Sequence, residues 1–513
     1  MADTEKFVEL VNNGYHFKGE SFKIGRAMLD GKVVEGADVF LPFSTLNRHG
    51  LIAGATGTGK TKTLQVLAEG LSDASIPVVL MDIKGDLSGI AAEGVTNDKI
   101  QERSQLLEID FKPTAYPVEF LTLSNEKGTR LRATVSEFGP ILLSKILDLN
   151  DTQGGLVSMI FKYCDDNQLP LVDLKDFIKV LQFVSGEGKA SLEKDYGKVS
   201  TTSTGTILRK VIELQQQDAD LFFGERSFDT YDLMRINNDG RGMISILRVT
   251  DLQNRPKLFS TFMLQLLAEL YASSPEEGDL EKPKLVLFID EAHLIFNQAS
   301  AALLNQIETI VKLIRSKGIG IYFCTQNPMD IPASVLSQLG LKVQHALRAF
   351  TAADRKVIRQ TAENYPLSDF YKTDELLTQV GIGEAIVTML NEKGIPTPLV
   401  HCMLRAPQSR MDVLTEEELG AIVSKSRIAA HYNEILDSES AYEILSRKLE
   451  ATVAEQAEQQ KQKEEKKSQK QEKGFFDNPI VKSVARTAGN TIMRSLLGAI
   501  GISTTTRKKK TWF

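Results

Sequence analysis

Gly54-Ala55-Thr56-Gly57-Thr58-Gly59-Lys60-Thr61 fits G-x-x-x-x-G-K-S/T in full, and its reading decides the fold. Leu51-Ile52-Ala53 just before it reads as a short buried strand, and residues 62–71 just after it read as an amphipathic helix. In that setting the glycines let the backbone wrap closely around a phosphate. Successive N–H groups and the helix N-terminus then point at the anion. Lys60 is placed to bridge the β- and γ-phosphates of ATP, and the Thr61 hydroxyl to sit on Mg²⁺. Residues Gly54 through Thr61, with Lys62 next in line, are therefore the candidate nucleotide contacts. The bland alternative is a Gly/Thr-rich turn that binds nothing.

Working outward, Pro77-Val78-Val79-Leu80-Met81-Asp82 is an apolar run closing on an acid, the pattern of a central parallel strand. Ile83-Lys84-Gly85-Asp86-Leu87 then sets polar groups at the strand's carboxyl end, where open α/β sheets bind ligands. Residues 285–289 form a second apolar run and end in Asp290-Glu291. Asp290 is expected to hold Mg²⁺ through its water shell, and Glu291 to turn toward the attacking water as general base. A helix N-cap with a favourable dipole contact is the other reading of this acidic pair. Gln326 tips the strand 319–325 and can report the γ-phosphate state, or simply serve a loop. Arg315 ends a helix expected over 302–316, where it can reach a neighbouring subunit's nucleotide or stabilise its own helix end. Arg48, ahead of the first strand, is a second candidate for phosphate contact. His49 and His293 belong to no spaced ligand set and read as structural groups, and Cys324 reads as a buried small hydrophobe.

The chain has 513 residues, a formal net charge of −6 and three scattered cysteines. This charge argues against a wholly basic nucleic-acid coat, although a groove or ring needs only a few local cations. Widely spaced cysteines, no signal-peptide pattern and no apolar run approaching the roughly 18–20 residues of a membrane span lead us to expect a soluble, cytoplasmic protein. Alternating strands and helices indicate an α/β, doubly wound parallel sheet. The expected organisation is a short β-rich segment over 1–40, a first part of the core over 41–130, a helical insertion over 131–239, and a second part of the core over 240–410. C-terminal helices over 411–450, a Glu/Gln/Lys-rich linker over 451–474 and an amphipathic basic tail over 475–513 follow. This tail suits a partner helix, an anionic membrane surface, nucleic acid or its own protein.

Gly54–Thr61, Asp82-Ile83-Lys84-Gly85-Asp86, Leu285–His293 and Cys324-Thr325-Gln326-Asn327-Pro328 together resemble the HerA/FtsK superfamily of P-loop motor ATPases, most closely the bacterial HerA-like YjgR group. The resemblance implies a RecA-like (ASCE-type) core, a hexameric ring and nucleotide sites between subunits. It matches Lys60, Asp82, Asp290 and Glu291 to active-site positions, Gln326 to a polar sensor and Arg315 to a trans-acting arginine. Arg48 falls where HerA-type proteins carry another arginine near the phosphates. The forty residues ahead of the core leave no room for the β-barrel of archaeal HerA, and the long insertion departs from the usual pattern.

Two functions follow as expectations. One is an Mg-dependent ATP-hydrolysing ring motor that moves along or remodels DNA. The other is an ATPase switch that acts on a protein or membrane partner without moving DNA. A kinase-like phosphotransferase is a third reading.

Overall fold

The computed structural model describes residues 2–250, 255–278, 280–298 and 301–471. The basic tail expected over 475–513 lies outside them. Twelve strands join one sheet: β1 (Ser21–Leu29), β2 (Lys32–Pro42), β3 (Gly50–Ala53), β4 (Val78–Asp82), β5 (Val118–Thr122), β6 (Thr129–Arg130), β7 (Ile244–Arg248), β8 (Leu285–Ile289), β9 (Ile319–Thr325), β10 (Leu341–Gln344), β11 (Glu384–Met389) and β12 (Val400–Leu404). Their order is β2-β1-β12-β11-β10-β3-β9-β8-β4-β7-β5-β6.

From β10 to β6 every neighbouring pair is parallel, which puts the carboxyl ends of β3, β4, β8 and β9 side by side. The other end of the sheet adds an antiparallel part to the parallel sheet expected. β10, β11, β12, β1 and β2 are joined antiparallel, because the short connections after β11 and β1 return the chain as hairpins. The result is a mixed, mostly parallel sheet.

Both faces of the parallel part are covered, and the strands are apolar at consecutive positions for that reason. Leu285, Leu287 and Ile289 enter one core, while Val286 and Phe288 enter the other. The first core is shared with the helical insertion between β6 and β7, whose helices Val135–Ile146, Asp151–Asp166, Leu174–Ser185 and Thr201–Gln215 contribute Phe138, Ile160, Phe177 and Val211. Capping boxes at Thr134/Glu137, Asn150/Gln153 and Asp173/Asp176 set three of these helix starts. The second core takes the helix Lys60–Asp73 through Leu64, Leu67 and Leu71.

The opening segment needs a correction. Residues 1–40 do not consist of β pieces alone, since the helix Ala2–Tyr15 precedes β1 and buries Phe7, Val11 and Tyr15, spaced by four on one face. β1 and β2 are full members of the sheet. Helices Glu416–Lys425 and Arg427–Tyr432 follow β12, and a helix Ala441–Gln471 crosses into the charged stretch. The described residues up to Leu445 belong to one compact unit, and those from Ser446 to Gln471 to a second.

Candidate active site

β3 runs directly into the Gly-rich loop. Gly57 and Gly59 have φ of 78° and 115°, backbone that a side chain would strain, and the helix Lys60–Asp73 begins at once. The loop is anchored from two sides: the Gly54 amide donates to Thr325 O at 3.2 Å and the Ala55 amide to Ala346 O at 2.8 Å. The amides of the first helical turn have no carbonyl four residues back, so anion contact falls to them and to the loop just ahead. The Thr58 hydroxyl donates to Ala55 O at 2.7 Å and shapes the bend. The Lys60 ammonium rests inside the loop, donating to Gly54 O at 2.6 Å and Ala55 O at 3.2 Å. Burial lowers its pKa, as does nearby Lys84, against the opposing charges of Glu291 and Asp290.

β4 and β8 bring the acids beside this loop. Asp82 is buried and accepts from the amides of Gly85 at 2.7 Å, Asp86 at 3.1 Å and Leu87 at 3.1 Å. Burial outweighs those donors and pushes its pKa up to about 6. The resemblance matches Asp82 to an active-site position and makes it a candidate nucleotide contact; in the structure its carboxylate is wrapped by the following turn, which it holds in shape. That turn presents two side chains absent from the candidate set. Asp86 Oδ2 accepts from the Thr61 hydroxyl at 3.2 Å, and Lys84 forms an ion pair with Glu291. The signal for both was the Asp82–Asp86 run itself, once its turn is seen to fold back over the P-loop.

Asp290 and Glu291 are neighbours held in unlike electrostatic states. Burial, reinforced by the charge of Glu291, pushes the Asp290 pKa up to about 7, and its Oδ1 accepts the Glu291 amide at 2.9 Å. Burial would raise Glu291 too, but the Lys84 pair overrides it and holds the carboxyl below its ordinary range. His293 Nδ1 lies 3.2 Å from Glu291 Oε2, and the Gln326 side chain stands near the same carboxylate and helps to lower its pKa. Glu291 adopts φ 45°, a left-handed conformation unusual for a residue with a side chain, which turns it off the end of β8. Two adjacent acids with pKa values pushed apart can divide the work, one binding a cation and one accepting a proton.

The residues present fit a nucleotide with Mg²⁺. Asp86 Oδ1 is buried with no hydrogen-bond partner among the described residues, and the Thr61 hydroxyl and the Asp290 carboxylate supply further oxygens. Mg²⁺ is ordinarily held by one or two protein oxygens together with phosphates and water, which is the donor chemistry found here.

Three candidate side chains do not reach the phosphate loop of their own chain. Lys62 donates to Met411 O and, at 3.4 Å, to Gln65, so its ammonium serves the segment running over the helix. Arg48 precedes β3, at the opposite end of that strand from the P-loop, and donates to Asn391 O at 3.2 Å and Glu392 O at 3.1 Å. A four-residue strand spans roughly 13 Å, so Arg48 does not meet the phosphate loop of its own chain. Arg315 opens the turn Arg315–Lys317 ahead of β9, and since β3 and β9 are parallel it lies at the same amino edge as Arg48. His49 sits between these elements, fully neutral in its bonding: Nδ1 accepts from Ile321 N at 3.0 Å and Nε2 donates to Val311 O at 2.8 Å. Burial lowers its pKa to about 4.

A model of the helicase HerA-like C-terminal family matches residues 28–507. The chain is 20% identical over 372 residues to the DNA double-strand break repair helicase HerA of Sulfolobus acidocaldarius, covering 71% of this chain and 67% of that protein. It is 23% identical over 391 residues to a probable helicase of Methanocaldococcus jannaschii, covering 75% and 67%. It thus spans about two thirds of the length of these relatives. Among solved structures, an unbound form of the bacterial conjugative coupling protein TrwB superposes with a TM-score of 0.51 at 14% identity, covering 80% of this chain and 94% of that one, a likeness of fold.

Proposed function

The chain belongs to the HerA-like helicase C-terminal family, and on that premise we propose that it is an Mg-dependent ATPase working as a ring, most simply a hexamer, that drives movement along DNA. The observation that carries this reading is the pairing of an ionised Glu291, held by Lys84, with a P-loop from which the candidate arginines Arg48 and Arg315 are separated by the length of the sheet's strands. Such a site has a base and a phosphate cradle, and the candidate arginines Arg48 and Arg315 do not serve the phosphates of their own chain. A second copy would complete it by presenting Arg315, with Arg48 beside it.

In this scheme the loop amides and Lys60 would hold the β- and γ-phosphates, and Thr61 and Asp290 would hold Mg²⁺, which would neutralise charge on the phosphates. Glu291 takes a proton from water as the water oxygen bonds to the γ-phosphorus. The bond from that phosphorus to the bridging oxygen breaks, leaving ADP and phosphate. Gln326, next after β9 and near Glu291, would sense the γ-phosphate. Asp82 acts as a positioning residue through the turn that carries Lys84 and Asp86.

The two relatives reported above are named as helicases, and DNA enters here by that route. Among the described residues no helix is long and apolar enough to cross a membrane; we place the working protein in the cytoplasm. ATP turnover measured with and without single- and double-stranded DNA at low salt, on material whose mass in solution is known, tests the reading. Several-fold stimulation by DNA on an oligomer supports the motor. Intact hydrolysis that neither form of DNA alters would replace it with a switch acting on a protein or membrane partner.

A further inference from the structure

The helical insertion meets the sheet domain across a cavity of about 290 Å³, lined by Lys145, Asp148, Lys210 and Glu213 from the insertion and by Lys257 and Ser260 from the helix after β7. No P-loop or Asp290-Glu291 residue lines it. Three ammonium groups converge there, and their partners are unequal. Lys257 pairs with the Glu213 carboxylate. Lys145 donates to the neutral amide oxygen of Gln306, and Lys210 to the backbone carbonyl of Asp148. The Asp148 carboxylate stands 4.0 Å from Lys210 and is 72% exposed, so water weakens its hold.

Deeper in, Ser260 is 2% exposed and its Oγ has no hydrogen-bond partner among the described residues. Its neighbour Thr261 shows the ordinary solution for a helical hydroxyl, donating to Lys257 O at 2.6 Å. Burying a hydroxyl without a partner is unfavourable, so an unpaired donor just beneath the cavity wall, beside one cation tied to a neutral amide oxygen and a second whose carboxylate partner is remote and solvated, marks a place for an acceptor with negative charge. A doubly charged oxyanion forms stronger hydrogen bonds than a carbonyl or amide oxygen and displaces them.

We propose that this cavity binds a phosphomonoester, the terminal dianion of a free nucleotide or of a 5′-phosphorylated DNA strand. Lys145 and Lys210 pair with its oxygens, Ser260 donates to the oxygen that enters deepest, and Lys257 keeps Glu213 neutralised so that it does not repel the ligand. The volume sits at the low end of small-molecule sites, which admits one nucleotide and excludes a duplex. The site stands on its own geometry, independent of whether the chain moves DNA.

The test uses the full chain carrying Lys60→Ala, which removes the main phosphate contact of the P-loop. Calorimetry compares adenosine monophosphate with adenosine, and fluorescence anisotropy compares a 5′-phosphorylated oligonucleotide with its 5′-hydroxyl twin. At least one phosphorylated probe is expected to bind about tenfold tighter than its counterpart, and Lys145→Ala with Lys210→Ala to erase that preference. The pair that shows the preference identifies the source of the phosphate. Ser260→Ala removes an unpaired buried hydroxyl, so it should weaken phosphate binding several-fold while leaving the melting temperature unchanged or raised. Should the double variant fail to fold, Ser260→Ala decides alone. Equal binding within both probe pairs, or a phosphate preference untouched by Ser260→Ala, overturns the proposal.

Discussion

Asp290→Asn should make the protein more stable while removing its activity, and the gain should depend on pH in a defined direction. The wild-type carboxyl moves from 3.8 to about 7 on folding, through burial first and the Glu291 charge second. An acid whose pKa rises on folding contributes stability that is present below its unfolded value and lost as pH climbs through its folded value. At pH 8 the wild type therefore carries the full penalty of ionising Asp290, at most about 4 kcal/mol at 1.36 kcal/mol per pH unit. Asn removes the charge, keeps an oxygen for the Glu291 amide and preserves the volume. The variant should unfold up to about 4–8 °C higher than wild type at pH 8, taking roughly 1–2 °C per kcal/mol for a unit of this size. That difference should shrink as pH falls through 7 and vanish near pH 4. Melting curves by differential scanning fluorimetry between pH 4 and 9, without nucleotide or divalent cation, measure it. A difference constant across that range, or a variant less stable than wild type at pH 8, would refute the account of Asp290 as a buried acid awaiting a cation.

Two further outcomes concern the base. Glu291→Gln should retain ATP but lose about 10²–10⁴-fold in turnover, read by equilibrium binding alongside phosphate release; near-normal turnover contradicts its role as proton acceptor. Lys84→Ala leaves burial as the dominant influence on Glu291, whose pKa then rises, so the acidic limb of the kcat profile should move to higher pH. Activity lost equally at pH 6 and pH 8 would mean that Lys84 acts by some route other than ionising Glu291.

The P-loop was legible because its function is a backbone requirement: glycines at 57 and 59 and a lysine opening a helix are demanded by local geometry that sequence specifies directly. The acidic end of β8 was legible for a related reason, since an apolar run that stops on two acids marks the carboxyl edge of a buried strand. The ion pair of Lys84 with Glu291 was not, because it joins two strands far apart in the chain and depends on a turn that Asp82 organises through three amides. Asp82 itself illustrates the limit: an acid at a strand end reads as a ligand, whereas its oxygens are consumed locally. The place of Arg48 within its own chain has a different cause. Being just before a parallel strand puts it at the amino edge while the loop leaves the carboxyl edge, a consequence of strand direction more than of sequence distance. The antiparallel β11-β12-β1-β2 end escaped because strand spacing does not reveal which edge a late strand joins. The helix Ala2–Tyr15 carried its signal in Phe7, Val11 and Tyr15, obscured by polar residues around them.

The central claim is that the hydrolytic site is shared between copies of the chain, with Arg315 of one serving the P-loop of the next. Arg315→Ala protein and Glu291→Gln protein, each inactive alone, can be mixed across a range of ratios and assayed for phosphate release. A mixed ring contains some sites with an intact Glu291 facing an intact Arg315. The account predicts activity that appears on mixing and peaks at intermediate ratios. Mixtures of exchanging subunits that stay inactive at every ratio would contradict it.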